Sequence, residues 1–205
     1  MRRIIKIGGS LLCRPTLVAD LRRYLNDQPP AHSLLVVGGG QMVDAVRELD
    51  GLRPLPSADV HWMCVDLLHA TFQMCRCWLA ELDAIDRRND LSQWLERTDD
   101  ARNTCPDPRT TWISPRAFYR REDDSGKLPE TWATTTDSIA ALLAEKTHAD
   151  ELVLLKSCDV DSKVDVDQMT ESGIVDAAFP RAIERWISDR GRDALQVMRL
   201  PDDHG

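Results

Sequence analysis

Arg3-Ile4-Ile5-Lys6-Ile7-Gly8-Gly9-Ser10-Leu11-Leu12 is a β-branched run that breaks into Gly-Gly-Ser and then takes up a helix-like pattern. Ile4, Ile5 and Ile7 read as a buried strand, because β-branched side chains suit a packed pleated surface and no alternation of polar residues marks a wet face. Gly8 and Gly9 end it. Lacking Cβ atoms, they let consecutive N–H groups approach a phosphate. Lys6 and Ser10 flank that turn with a cation and a hydroxyl, the groups an anion there would need. A strand ending in an ordinary glycine turn beside a surface lysine would read the same way.

A second unit of the same kind follows. Leu34-Leu35-Val36-Val37 runs into Gly38-Gly39-Gly40, and Met42, Val43 and Val46 give the next segment helical spacing to about Glu48. A helix N-terminus preceded by glycines offers free N–H groups and a positive dipole end to an anion. The chain thus carries two anion nests on adjacent units. Neither has the Gly-x-x-x-x-Gly-Lys-Ser/Thr of a P-loop or the Gly-x-Gly-x-x-Gly of dinucleotide folds. Between them, Leu17, Leu21, Tyr24 and Leu25 predict a helix that Asn26-Asp27-Gln28-Pro29-Pro30 ends. Asp50 to Pro54 reads as a loop. Strands alternating with helices predict an α/β fold, a three-layer αβα sandwich around a mainly parallel open sheet.

From Ala58 to about Ile85 the pattern is helical throughout, with one apolar stripe at Trp62, Val65, His69, Phe72, Leu79 and Leu82 and another at Met63, Leu67, Met74 and Trp78. Two stripes call for two partners, the second being either another subunit or a deeper core of the same chain. Asp86 to Lys127 turns to Arg, Asp, Pro and Thr, with room for a short helix and one or two strands. Arg116, Arg120 and Arg121 cluster there, either to clamp an anion or as a solvated face, and Glu122 to Gly126 reads as a mobile loop. Thr134, Thr135 and Thr136 then offer caps to a helix marked by Ile139, Leu142 and Leu143, with Asp137 in its first turn. An Asp there needs no function beyond complementing the helix dipole. Leu152 to Leu155 reads as another buried strand, ending in Lys156-Ser157, and ligands of α/β sheets sit at such strand ends where the order of strands switches. Beyond it, Asp159 to Lys163 and Asp165 to Asp167 read as a turn with short edge segments, Ala178 to Ser188 as a helix, and Ala194 to Leu200 as a last strand.

The 205 residues suffice for one domain with a substantial core, and 42% hydrophobic content fits a globular class. With 26 Lys and Arg against 34 Asp and Glu, the net charge of −8 argues against broad binding to nucleic acid or anionic membranes. No apolar run approaches the length of a membrane span, and the chain enters its first strand without a signal peptide, so a cytoplasmic location is expected. The six cysteines, at 13, 64, 75, 77, 105 and 158, read as free thiols. His61, Cys64, His69, Cys75 and Cys77 share a segment but point around several faces of one helix, so no metal site is expected of them.

Lys6 to Ser10 with Val37 to Gly40, then Thr134 to Ala140, then Leu154-Leu155-Lys156-Ser157, resembles the amino acid kinase superfamily, which groups aspartate, acetylglutamate, uridylate and isopentenyl phosphate kinases. His61-Trp62-Met63, the segment from Trp132 to Asp137 and Leu155-Lys156-Ser157 look most like the small methanofuran-biosynthesis kinases that phosphorylate an (aminomethyl)furanylmethyl phosphate. The resemblance implies one domain, with residues 1–130 holding the acceptor and 131–205 a shortened nucleotide-binding part. It implies ATP and Mg2+ as cofactors, a small anionic substrate, and a homodimer or higher homo-oligomer. By the same resemblance Lys6, Asp137 and Lys156 are catalytic, while Gly8, Gly9, Ser10 and Ser157 hold nucleotide phosphates. Gly38, Gly39, Gly40, His61 and Thr136 would hold the acceptor.

Two departures matter. The Gly-Met-x-x-Lys pattern that supplies a further lysine in acetylglutamate kinase is absent, since Gly173-Ile174-Val175-Asp176 leads to none. The region after Lys156, where relatives build the adenine pocket, is also short. A ligand-binding or regulatory protein that keeps the fold is the rival reading. A phosphate-ester hydrolase using the same nests would need a nucleophile or metal constellation that the sequence does not offer.

Overall fold

Ile4, Ile5 and Ile7 lie in β1 (Arg2–Ile7), a strand with every residue buried. The computed structural model describes the chain except residues 101–107, 124–127, 162–163 and 203–205. Its other strands are β2 (His32–Val37), β3 (Asp83–Ile85), β4 (Thr110–Ile113), β5 (Glu151–Lys156) and β6 (Leu195–Arg199), joined in the order β3-β4-β2-β1-β5-β6. Every pairing is parallel. The helices are α1 (Leu17–Asp27), α2 (Gln41–Leu52), α3 (Ser57–Trp78), α4 (Arg88–Asp100), α5 (Thr136–Lys146), α6 (Val166–Glu171) and α7 (Phe179–Arg190).

Side chains of successive strand residues point to opposite faces, and the two faces have separate cores. Ile4, Leu34, Val36, Leu152 and Leu154 pack with α5, α7 and the first half of α3. Ile5, Ile7, Leu35, Val37, Val153 and Leu155 pack with α1 and with Phe72, Cys75 and Leu79 from the far end of α3 and just beyond it. The three-layer sandwich expected from the strand and helix alternation is therefore present. Within it α5 is central: every residue from Thr136 to Ala144 is buried. Ala140, Ala141 and Ala144 are small enough to let that helix lie closely against both the sheet and α7.

The chain leaves β1 toward β2 and leaves β5 toward β6, in opposite directions from neighbouring strands. The loops after β1 and β5 consequently diverge, and a crevice opens between them at the carboxyl edge.

Three local expectations are corrected. The long helical pattern ends at Trp78, and the residues from Asp83 to Ile85 form β3. Three residues are too few to show a period of two, and it is pairing with β4 that makes them a strand. The helix after the triple glycine continues to Leu52, through residues read as a loop. Val166–Glu171 is helical, not an edge segment, because Asp165 and Gln168 form a reciprocal capping box. Of the two readings of the arginine cluster the solvated face holds, with Arg116 bonded to Asp66 at 2.9 Å and Arg121 to Asp59 at 2.8 Å, both exposed pairs away from the crevice. The second stripe of α3 is not interior: Met63, Met74 and Trp78 are exposed. Cys105 and most of the loop expected at Glu122 to Gly126 lie outside the described residues.

Candidate functional site

Register brings the two lysines together. Lys6 of β1 is paired with Leu154 of β5, so Lys156 lies one pleat repeat further along the neighbouring strand and on the same face. That face is the one α5 covers, and its first turn places Asp137 over both. Asp137 Oδ1 is 2.8 Å from Lys6 Nζ, and Oδ2 is 2.8 Å from Lys156 Nζ, which also reaches Oδ1 at 2.9 Å. All three residues are buried. Burial alone would push the Asp137 carboxyl up, but the positive charges of Lys6 and Lys156 and their hydrogen bonds outweigh it and hold the group below the ordinary carboxylate range. Lys156 moves the other way from a surface lysine. Burial, then repulsion from Lys6, lower it to about 8 against the pull of Asp137.

Beside this unit the two glycine turns touch. The Gly8 N–H donates to Leu155 O at 2.8 Å and the Gly38 N–H to Ile7 O at 2.9 Å, so each turn first extends the sheet ladder. Meeting a ligand passes to the N–H groups that follow. A Cβ on Gly9 would lie 2.3 Å from the Gly40 nitrogen, and this close approach requires glycine there. Gly40 has a φ of 53°, which makes it the one non-extended hinge into α2 that only glycine adopts readily. The turns after β1 and β5 are joined by a hydrogen bond between Ser10 Oγ and Ser157 Oγ at 2.8 Å.

Every residue assigned to the site from the sequence lines one cleft of about 470 Å³: Lys6, Asp137 and Lys156 at its head, Gly8, Gly9, Ser10 and Ser157 on one side, and Gly38, Gly39, Gly40, His61 and Thr136 on the other. His61 Nε2 is 2.8 Å from the Tyr119 hydroxyl. Burial holds its ring below the usual histidine value, so near pH 7 it is a neutral hydrogen-bonding group.

The sequence reading missed three contributors. Arg47 lies with its guanidinium carbon 4.7 Å from the Trp132 ring centre, and the Trp132 indole N–H donates to Asp50 at 2.8 Å. Together they wall the side of the cleft next to the triple glycine. Val43, Asp44 and Arg47 share one face of α2, and projecting that helix onward from Gly40 would have found them. Asp176 is the third. Thr135 begins α5 without capping it through its own side chain, and the carboxylate of Asp176 caps it instead. No local pattern links residues some forty positions apart, so nothing in the sequence signalled this contact.

Cys64 lines the cleft, and burial pushes its thiol up to about 11, while Cys75 rises to about 12 in the core, so both are protonated near neutral pH. Among the described residues no group of three or more His, Cys, Asp or Glu could hold a metal ion, and no helix is long and apolar enough to cross a membrane.

The chain is thus an α/β protein with a parallel sheet whose switch point gathers two lysines, one carboxylate and two touching glycine turns. The chain belongs to the amino acid kinase family, whose model matches residues 1–162. Among solved structures its fold is similar to that of uridylate kinase from Archaeoglobus fulgidus, at 14% identity and a TM-score of 0.58 over 98% of this chain and 91% of that one. It is also similar to UMP kinase from Bacillus anthracis, at 12% identity and a TM-score of 0.63 over 98% and 88%. Aspartate kinase from Synechocystis matches at 14% identity and a TM-score of 0.61, where 99% of this chain spans 38% of the other. No curated protein matches the sequence.

Proposed function

We propose that the chain is an ATP-dependent small-molecule kinase that transfers a phosphoryl group to an anionic acceptor, with an (aminomethyl)furanylmethyl phosphate of methanofuran-type cofactor biosynthesis as the acceptor. The observation that carries the transferase reading is the buried Lys6-Asp137-Lys156 unit set against two contiguous glycine turns. Phosphoryl transfer between anions needs positioning and charge neutralisation more than covalent chemistry. Lys6 and Lys156 meet the equatorial oxygens of the moving group, and Asp137 holds both ammonium groups in place before it arrives. The Gly8-Gly9-Ser10 turn with Ser157 holds the nucleotide phosphates, and the Gly38 to Gly40 turn with His61 and Thr136 holds the acceptor. Residues 1–130 supply most of the acceptor side and 131–205 a shortened nucleotide part, with the Gly8-Gly9-Ser10 turn and Thr136 each serving the other side.

Two lysines and the backbone N–H groups of glycine turns suit phosphate oxygens. Mg2+ would be carried by the nucleotide phosphates and would neutralise their charge, since Asp137 is committed to the lysines and Asp176 to the start of α5. The furan acceptor rests on resemblance at His61-Trp62-Met63 and Trp132 to Asp137; Arg47, stacked over the Trp132 ring at the cleft wall, offers a cation to an acceptor phosphate.

The test is ADP formation from ATP and Mg2+ with the furan phosphate, with UMP and aspartate as alternative acceptors. Acceptor-dependent ADP with the furan compound alone supports the full reading, and turnover with another acceptor supports the kinase and removes the furan. An ATP analogue that binds while every acceptor fails would leave a binding protein that has kept the fold.

A further inference from the structure

We propose that Asp176 is a positioning residue that clamps the connection between α6 and α7 onto the first turn of α5 and thereby fixes Asp137, Lys6 and Lys156. Its kinetic readout rests on the kinase reading above. Asp176 Oδ2 accepts from the Thr135 N–H at 2.9 Å, the Thr135 hydroxyl at 2.7 Å and the Ser138 N–H at 3.0 Å, and Oδ1 accepts from the Ser138 hydroxyl. These partners bracket Asp137 on both sides. A helix begins with N–H groups that lack intrahelical acceptors, and a carboxylate meeting them is favoured by charge-assisted bonds and by the helix dipole. The same short connection carries Gly173, Ile174 and Val175, which form the cleft wall beside Lys156. It is tied again where the Ala178 N–H donates to Ala133 O at 2.9 Å. One carboxylate therefore joins the wall of the cleft to the charged unit at its head.

The charged groups facing Lys156 are Lys6 from β1, Asp137 from α5 and Asp176 from this connection. On the other neighbouring strand, Arg199 turns its guanidinium to Asp159 and Asp202. Asp176 thus supplies the second negative charge that keeps Lys156 protonated, in addition to its hydrogen bonds to α5.

Asp176→Asn tests this, because asparagine retains a cap acceptor but loses the charge. Turnover should fall about tenfold or more, the cost of misplacing reacting groups by a fraction of an ångström to an ångström, with the acceptor KM unchanged. The alkaline limb of kcat/KM should move to lower pH. In parallel, lysine side chains labelled with 13C at Cε are titrated by NMR, with Lys156 assigned by its loss in Lys156→Arg. In Asp176→Asn the Lys156 titration should fall below its native position near 8. A folded Asp176→Asn protein with native turnover and an unmoved Lys156 overturns the proposal. Should the unaltered protein phosphorylate no acceptor, the kinase reading fails and the NMR titration alone decides the role of Asp176. If Asp176→Asn does not fold, Ser138→Ala keeps the carboxylate but removes one donor that holds it; reduced turnover with an unmoved Lys156 titration is expected, and native turnover overturns the proposal.

Discussion

Two ammonium groups on adjacent strands repel one another, and Asp137 offsets that repulsion only because both of its oxygens are engaged. Replacing Lys6 by Ala leaves Asp137 paired with Lys156, so the fold should survive while turnover drops by roughly a hundredfold or more, the size seen when one preorganised donor is lost. Asp137→Asn removes the carboxylate bonded to both buried ammonium groups. It should lower turnover more than acceptor affinity and cost about 3 kcal/mol or more of stability, as breaking a buried pair does. Turnover, acceptor affinity and melting temperature separate these outcomes, and native activity in a folded Lys6→Ala protein would remove the transferase reading. The pH dependence has a defined sign. Lys156 serves as a cation, and with its folded-state value lowered to about 8 it loses that charge as pH rises through 8, so kcat/KM should decline on the alkaline side. Lys156→Arg should abolish that limb. For folding the same shift acts oppositely: between about 8 and 10.5 the unfolded chain holds the proton that the folded one has released, and stability rises with pH. Asp137, held low, contributes stability above the ordinary carboxylate value that is lost as pH falls through its folded-state value.

The glycine turns work as a pair of elements pressed backbone to backbone. Gly9→Ala would place a methyl 2.3 Å from the Gly40 nitrogen, and relieving that clash must part the turns. Gly51→Ala provides the control, since its added Cβ meets nothing within 4 Å. Titration with an ATP analogue should show affinity sharply reduced in Gly9→Ala and native in Gly51→Ala. Unchanged binding in both would show that the nucleotide does not use this turn. The strands and turns that build the cleft were legible because their signal is local: a β-branched run, paired glycines, and helical spacing after them. Lys6, Asp137 and Lys156 were legible as residues at strand ends and a helix start, although only parallel register shows that both lysines share a face. What escaped was tertiary. β3 exists through pairing with β4, the α6 capping box interrupts residues that look extended, and the cap of α5 arrives from a carboxylate far along the chain. Threonines at 134 to 136 looked sufficient as caps, yet the Thr135 hydroxyl donates to Asp176 and caps nothing itself.

At the scale of the whole molecule, the apolar residues that the cores leave uncovered are concentrated on two neighbouring helices. No residue of α2 is buried, and Leu49 and Leu52 are 65% and 74% exposed. Leu55 in the following turn and Met63 on α3 are half exposed and line one shallow pocket. Apolar side chains exposed on helices that also wall the cleft would be covered by a second copy of the chain, and each large one covered contributes roughly 1.5–3 kcal/mol. We propose a homodimer through this face. A stable interface needs about 800 Å² from each partner. Sedimentation at increasing concentration should show a dimer, and Leu49→Glu with Leu52→Glu should give a monomer of native melting temperature when compared at concentrations where the parent is also monomeric. Since both side chains are solvent-facing in the single chain, their replacement should leave Lys6, Asp137 and Lys156 undisturbed. A parent protein that stays monomeric at high concentration would leave this face without a second copy, and an assembly that persists in the double variant would place the interface elsewhere.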